Sequence, residues 1–325
     1  MKSYWIRPES GKTVIELRDV PVPEPKAGEL RVRLRAAGLN RGELLASHGL
    51  HAKSTTAKPA GVEGAGEVEK LGAGVSGLKP GDRVMGRCGG AFAEYGIMDA
   101  REAVAIPPKL SWEEAACIPL VFMVVHDMLI AQGRLKSGEW LLVTGASSGV
   151  GVAALQTAKA LGAKVIGTSG SAEKLEKLKA LGLDVGIRTR AADFSEEVMR
   201  VTGGRGADLI VNNVGGSVFA ECIRALAFEG RMATVGYLDG VMKAEMDIDA
   251  LHSKRLKLFG VSNKLRNAEQ RAATVRGFAA DILPMIADGR IRPVVDRVFA
   301  FAELPAAKTR MESDTHLGKI AVRME

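Results

Sequence analysis

The chain is poor in the residues that staple, ligate or anchor a protein. Cysteine occurs only 3 times in 325 residues, at Cys88, Cys117 and Cys222. With no CxxC pair, neither a disulfide framework nor a cysteine-rich zinc lobe is expected, and a reducing compartment fits. No apolar run approaches the roughly 18 residues of a membrane-spanning helix, and the opening MKSYWIRPESGKTV lacks the apolar centre of a secretion signal. A cytoplasmic protein without a membrane segment is the expectation. Aromatic residues make up 5% of the chain, and no basic stripe with interleaved aromatics marks a nucleic-acid surface. The net charge of +7 is spread over mixed segments such as Ser171–Gly182, SAEKLEKLKALG, the pattern of a solvated helix face. A phosphate-bearing cofactor is the simpler anionic partner. Internal repeats and low-complexity segments are also missing.

What is present divides the chain in two. The length predicts two domains with separate cores, and 46% hydrophobic with 26% charged residues is ordinary for a globular protein. The first third reads as β. Leu30–Ala36, LRVRLRA, alternates apolar residues with arginine at the strand period, and glycines punctuate short apolar pieces from Gly61 to Gly86. From about Ser111 short buried strands alternate with helices. Strands are expected at Trp140–Thr144, Ala163–Ser169, Asp208–Val214, Arg231–Tyr237 and Leu256–Val261, and helices at Val150–Leu161, Lys174–Leu181 and Ser217–Ala227. That alternation implies right-handed crossovers and a doubly wound parallel sheet. A helical stretch containing Pro284 and a strand-like PVVDRVFAF (Pro293–Phe301) then follow. The expected fold class is α/β: a β-barrel-like domain over 1–115, a doubly wound domain over 116–262, and a segment over 263–325 that returns to the first.

Val143–Leu155 reads VTGASSGVGVAAL. Between a strand and a helix, Gly149-Val150-Gly151-Val152-Ala153-Ala154 satisfies G-x-G-x-x-[GA]. Missing side chains let the backbone approach a pyrophosphate, and the helix N-terminus offsets its charge. The end of the second strand selects the nucleotide, because an NAD site usually places an acid there to accept from the ribose. Here stand Thr168, Ser169, Gly170 and Ser171, with Lys174 one turn on, a set that suits a 2′-phosphate. NADPH is the expected cofactor; Glu173 is the residue that argues the other way. The alternative is that Ser171 caps the helix and Lys174 is solvated.

The turn Thr144-Gly145-x-x-x-Gly149-x-Gly151 resembles that of the short-chain dehydrogenases, which would imply a YxxxK pair. None of Tyr4, Tyr95 and Tyr237 has lysine four residues on. The order of β domain, nucleotide domain and return instead resembles the medium-chain dehydrogenase/reductase superfamily, over nearly the whole chain. The marks are Gly61–Val68 (GVEGAGEV), Lys79–Val84 (KPGDRV), Gly90–Tyr95 (GAFAEY), Asn213–Gly216 (NVGG) and His316–Ile320 (HLGKI). The resemblance implies a GroES-like barrel and a Rossmann domain. Zinc enzymes of that superfamily, similar to alcohol dehydrogenase, would carry a cysteine within Ala37–Asn40 and a histidine where Val62 stands, and valine cannot coordinate zinc. The chain therefore resembles the zinc-independent quinone oxidoreductases that include zeta-crystallin, and no metal site is expected. His48 and His51 share a short spacing, but no carboxylate or thiolate accompanies them.

By this resemblance Asn40 lies beside the nicotinamide ribose and Ser147, Ser148, Gly149 and Val150, with Gly151, wrap the pyrophosphate; Ser148 stands where the family usually has glycine. Ser169 and Lys174 would meet the 2′-phosphate, and within Ile187-Arg188-Thr189-Arg190 an arginine, with Arg188 the candidate, could replace the tyrosine the family often adds. Asn213 is expected to end the fourth strand and Gly236-Tyr237 the fifth, at the carboxyl edge where open α/β sheets bind ligands. Ser262 and Asn263 follow the last strand and could bond the nicotinamide carboxamide. Asn213 could equally cap its own turn, and Tyr237 could pack as a wall. LKLFGV (Leu256–Val261) reads as an apolar edge strand that a homodimer would cover.

With no YxxxK acid and no zinc ligands, direct ketone reduction has no evident electrophile. A quinone or an enone needs less help, since hydride added to it spreads charge onto a distant oxygen. Glu43, His48, His51 and His252 are candidate proton donors, and nothing in their spacing selects one. The expected function is NADPH-dependent reduction of a quinone or α,β-unsaturated carbonyl acceptor. The alternative is a catalytically weak NADPH-sensing or crystallin-like protein with affinity for RNA.

Overall fold

A computed structural model describes residues 1–9, 12–44 and 56–324. The chain forms two compact units. One comprises Met1–Val121, Ala268–Ala279 and Pro293–Glu325, the other Phe122–Asn267 and Ala280–Arg292. Among the described residues no helix is long and apolar enough to cross a membrane.

The first unit is built on the strand Glu29–Gly38, where Leu30, Val32, Leu34 and Ala36 are buried and Arg33 is exposed, as a period of two dictates. It pairs antiparallel with Glu63–Leu71, with Tyr95–Asp99 and, at its carboxyl end, with Lys319–Arg323. That last pairing sets Gly38 opposite Ala321, so the end of the chain lies against the residues that precede Asn40. The strands Val295–Ala300, Arg83–Arg87 and Ala103–Ala105 extend the sheet, and Lys2–Glu9, Lys12–Asp19 and Lys58–Pro59 make a smaller one. Leu30, Leu34, Phe92, Met98 and Ile320 fill the core.

The second unit carries six parallel strands: Trp140–Val143, Lys164–Ser169, Val185–Arg188, Ala207–Asn212, Leu226–Thr234 and Lys257–Gly260. Numbered in chain order they lie 3-2-1-4-5-6, the doubly wound arrangement whose reversal point falls between the first and fourth strands. Trp140–Val143 is buried at every residue, as a strand covered by helices on both faces must be. Three expectations shift. The fifth strand begins at Leu226 and stops at Thr234, because the amides of Val235 and Gly236 turn to the Asn212 carbonyl. The fourth stops at Asn212. The helix expected over Ser217–Ala227 is a 3-10 turn, Gly216–Val218, followed by Phe219–Ala225. The stretch around Pro284 is two helices, Ala268–Asp281 and Leu283–Ala287, with Pro284 in the first turn of the second, where its missing N–H breaks no bond.

Candidate cofactor cradle and active-site residues

The glycine turn is shaped by backbone constraints. Gly145 has φ +62, a left-handed conformation that glycine adopts without penalty. The Ala146 amide donates to the Thr168 carbonyl, so the turn is pinned to the second strand. Ser148 caps the helix Gly149–Ala160, its hydroxyl accepting the Gly151 amide at 3.1 Å. A Cβ on Gly151 would stand 2.6 Å from the Ala146 carbonyl oxygen, so any side chain there forces turn and helix apart. Ser147, Ser148, Gly149 and Val150 are all half-buried, and the first-turn amides have no acceptor within their own helix. The cradle fits a dinucleotide pyrophosphate in both shape and polarity.

At the end of the second strand Ser169 is buried, and its hydroxyl accepts the Ser171 amide at 3.3 Å. Ser171 caps the next helix by accepting the Lys174 amide at 3.3 Å, so the capping alternative for Ser171 is what its hydroxyl does. Glu173 is turned to Lys177, 2.7 Å away, which holds its carboxyl below the usual value. Arg188 pairs in register with Ser169 and is exposed. Arg190, two residues on, lies directly over Gly170: a Cβ there would meet its Nε at 2.4 Å and its Cζ at 2.9 Å.

Across the reversal point, Asn213 is buried and tied to the first strand, its amide donating to Thr144 Oγ1 at 3.1 Å and its Nδ2 to the Thr144 carbonyl at 3.0 Å. It is Asn212 that caps this turn, through Oδ1 bonds from the amides of Val214 and Gly215. Asn213 and Gly236-Tyr237 therefore sit just past the ends of the fourth and fifth strands. Tyr237 is 39% exposed in a segment held by Asp239, which accepts the amides of Ser217 and Val241 at 2.8 Å each. Ser262 and Asn263 follow the sixth strand. Their segment is anchored by Arg266, whose guanidinium pairs with the buried carboxylate of Asp127 at 2.8 Å. Asp127 belongs to a turn of π-helix, His126–Ala131, a local irregularity common at functional positions. Gln132 ties the same turn to the Gly260 carbonyl.

In the first unit Asn40 is half-buried, and both ends of its carboxamide are engaged. Nδ2 donates to Glu63 Oε1 at 2.9 Å, and Oδ1 accepts from Lys319 Nζ at 2.8 Å. One helical turn on, buried Glu43 accepts the Gly61 amide through Oε1, while its buried Oε2 has no partner among the described residues. Desolvation pushes the Glu43 carboxyl up from 4.5 to about 7. His48 and His51 lie outside the described residues. His252 is exposed on the helix Ile248–Ser253 of the other unit. Among the described residues no group of three or more histidine, cysteine or acidic side chains is gathered to hold a metal ion.

A family model described as an alcohol dehydrogenase GroES-like domain matches residues 26–108, and one described as a zinc-binding dehydrogenase matches 149–275. The chain belongs to the medium-chain dehydrogenase/reductase superfamily. It is similar to part of a highly reducing polyketide synthase of Alternaria alternata, 33% identical over 309 residues that are 94% of this chain but 12% of that protein. The chain thus spans about an eighth of the length of the curated relatives it matches. Among solved structures, the mycobacterial protein Rv1454c complexed with NADPH superposes with TM-score 0.88 at 26% identity, covering 99% of this chain and 100% of that one. CurK enoyl reductase superposes with TM-score 0.85 at 26% identity, with 99% of each chain covered. The chain accordingly has the GroES-like domain and the Rossmann-type sheet of this superfamily.

Several residues at these two sites had no role in the sequence reading. Glu63 and Lys319 stand inside the superfamily marks GVEGAGEV and HLGKI, but nothing in the spacing joins them. Arg190 lies two residues beyond Arg188, and Asp127 is hidden in the apolar run VFMVVHDML.

Proposed function

We propose that the protein is an NADPH-dependent reductase that transfers hydride to a quinone or an α,β-unsaturated carbonyl compound without a metal ion. The observation that carries the cofactor choice is the end of the second strand. Gly170, between Ser169 and Ser171, lies under the Arg190 guanidinium, Lys174 follows, and of the acids at this edge Glu173 is paired with Lys177 and Asp193 accepts the Thr189 hydroxyl. That surroundings favours a 2′-phosphate over a bare ribose hydroxyl pair. Arg188, in register with Ser169, adds charge to the same edge.

The residues present fit the rest of the molecule. Ser147 to Gly151 receive the pyrophosphate, and Asn213, Gly236-Tyr237, Ser262 and Asn263 border the carboxyl edge on which the nicotinamide would lie. Asn40 is assigned to the nicotinamide ribose. A bound nicotinamide supplies the hydride, and the protein orients it and excludes water. The stretch Ala37–Asn40 has no cysteine and Val62 stands where zinc enzymes of the superfamily have a histidine, and the Asn40 carboxamide is committed to Glu63 and Lys319. Without a Lewis acid, a conjugated acceptor is the substrate class whose developing charge can be borne by its own distant oxygen. Similarity to an enoyl reductase and to polyketide synthases supports the enone side of this reading.

A homodimer is part of the proposal. The sixth strand, Lys257–Gly260, forms one edge of the sheet with Leu258 exposed, and pairing with a second copy would cover it. Light scattering that showed only a monomer would remove that part. The reaction itself is tested by steady-state assays with NADPH and NADH against quinones, enones and simple aldehydes. NADPH-driven loss of enone or quinone is expected; alcohol oxidation that depends on added zinc is the contrary result.

A further inference from the structure

Lys319 and Glu63 are 256 residues apart in sequence and form a buried pair around Asn40. The Lys319 ammonium spends all three of its N–H groups: on Glu63 Oε1 at 2.6 Å, on the Leu39 carbonyl at 2.6 Å and on Asn40 Oδ1 at 2.8 Å. Glu63 is 0% exposed. Its Oε1 also accepts Asn40 Nδ2, and its Oε2 accepts the Leu120 amide at 2.8 Å. Gly38 makes room for the carboxylate, since a Cβ there would stand 2.8 Å from Glu63 Oε1 and 2.7 Å from the Ala116 carbonyl oxygen.

A buried ion pair of this kind adds little stability over apolar side chains of equal volume. Its geometry does something an apolar pair cannot. A carboxamide has nearly the same shape when its oxygen and nitrogen are exchanged, so packing alone does not orient it. An ammonium only donates and a carboxylate only accepts. Turning Asn40 over would set NH2 against NH3⁺ and oxygen against carboxylate, losing two bonds and creating two repulsions. Nδ2 is spent on Glu63, with a longer contact of 3.4 Å to the Gly38 carbonyl. Among the described residues, the one hydrogen-bonding position of the carboxamide left without a partner is the second lone pair of Oδ1.

We propose that Lys319 and Glu63 are positioning residues that lock the Asn40 carboxamide so that it meets the nicotinamide ribose as a hydrogen-bond acceptor. The inference rests on the assignment of Asn40 to that ribose made above. Each partner is necessary to the lock, because Lys319 fixes the oxygen and Glu63 the nitrogen.

The test uses the full chain and two binding probes, NADPH and adenosine 2′,5′-bisphosphate, which carries the adenosine and 2′-phosphate but no nicotinamide ribose. Removing both charges together in Glu63→Gln/Lys319→Met avoids stranding one of them in the interior. This variant should lose about tenfold in NADPH affinity, the effect of one hydrogen bond, and keep its affinity for the bisphosphate. Adding Asn40→Ala to it should cost nothing more, because the lock acts only through Asn40. Lys319→Arg, which keeps the charge but cannot place three donors in the same positions, should show the same probe-specific loss and serves if the double variant does not fold. If Asn40→Ala weakens NADPH binding and neither lock variant does, the lock is wrong and the Asn40 assignment stands. If Asn40→Ala itself leaves NADPH affinity unchanged, the assignment and the lock both fall. Equal losses for both probes would show a general structural role and overturn the inference.

Discussion

Glu43 Oε1 accepts the backbone N–H of Gly61, while the second oxygen of the same buried carboxyl has no partner among the described residues. Burial, with the nearby Glu63 charge adding to it and Lys58 and Lys319 opposing it, leaves the group half-protonated at about pH 7. A carboxyl whose folded value lies above its unfolded one binds its proton more tightly in the native state. Its contribution to stability is full below about pH 4.5 and is lost as pH rises toward about 7. The loss is of order 3 kcal/mol. Glu43→Gln, which imitates the protonated form, should remove this slope, so that the variant gains on the wild type between pH 5 and pH 8 in thermal melts. Parallel melting curves for the two proteins would contradict the buried-acid account.

Gly151 faces the Ala146 carbonyl at a distance that leaves no space for a methyl group. Gly151→Ala should lower NADPH affinity at least tenfold and destabilise the second unit by about 1–3 kcal/mol, the usual cost of overpacking. Fluorescence titration together with denaturant unfolding checks both parts. An alanine variant that binds as well as the wild type would show that the turn is not the pyrophosphate cradle.

Arg190 covers Gly170 at the end of the second strand. Arg190→Ala should raise the dissociation constant for NADPH about tenfold and change that for NADH little, since the lost interaction is a charge-assisted contact with the 2′-phosphate. Arg188→Ala should have the smaller effect of an exposed charge. Loss of affinity for both nucleotides in equal measure would place Arg190 elsewhere in the binding energetics.

The Asp127–Arg266 pair fixes the segment that carries Ser262 and Asn263. Asp127→Asn keeps the shape of the side chain but weakens the bond, so NADPH turnover should fall several-fold while the adenosine bisphosphate binds as before. Turnover equal to wild type would free that segment from any role in holding the nicotinamide.

The parallel sheet was legible where its strands are buried on both faces. Trp140–Val143 and Ala207–Asn212 are short apolar runs between glycines and helices, and their alternation with helices implies parallel pairing through right-handed crossovers. The glycine turn was legible for the same local reason: its geometry depends on residues within one strand, turn and helix. The fifth strand begins and ends earlier than the expected Arg231–Tyr237 because Thr234 looks no different from Val235 in sequence, and the bond to Asn212 at its end is non-local. Asn40 was named, but what holds it was not. Lys319 reaches it only because the strand Lys319–Arg323 pairs with Glu29–Gly38, a pairing invisible to spacing. Arg190 was missed because the length of the third strand, not its composition, decides which arginine lies over Gly170.

The central claim is that this chain moves hydride from a phosphorylated nicotinamide to a conjugated acceptor with no metal involved. It is tested most directly by following NADPH oxidation against a simple enone and a simple quinone with protein stripped by chelator and checked for residual zinc. Turnover with NADPH that survives stripping, accompanied by a product saturated at the former double bond or by the hydroquinone, is predicted. Absence of NADPH oxidation with both acceptors, or activity restored only by added zinc, would contradict it.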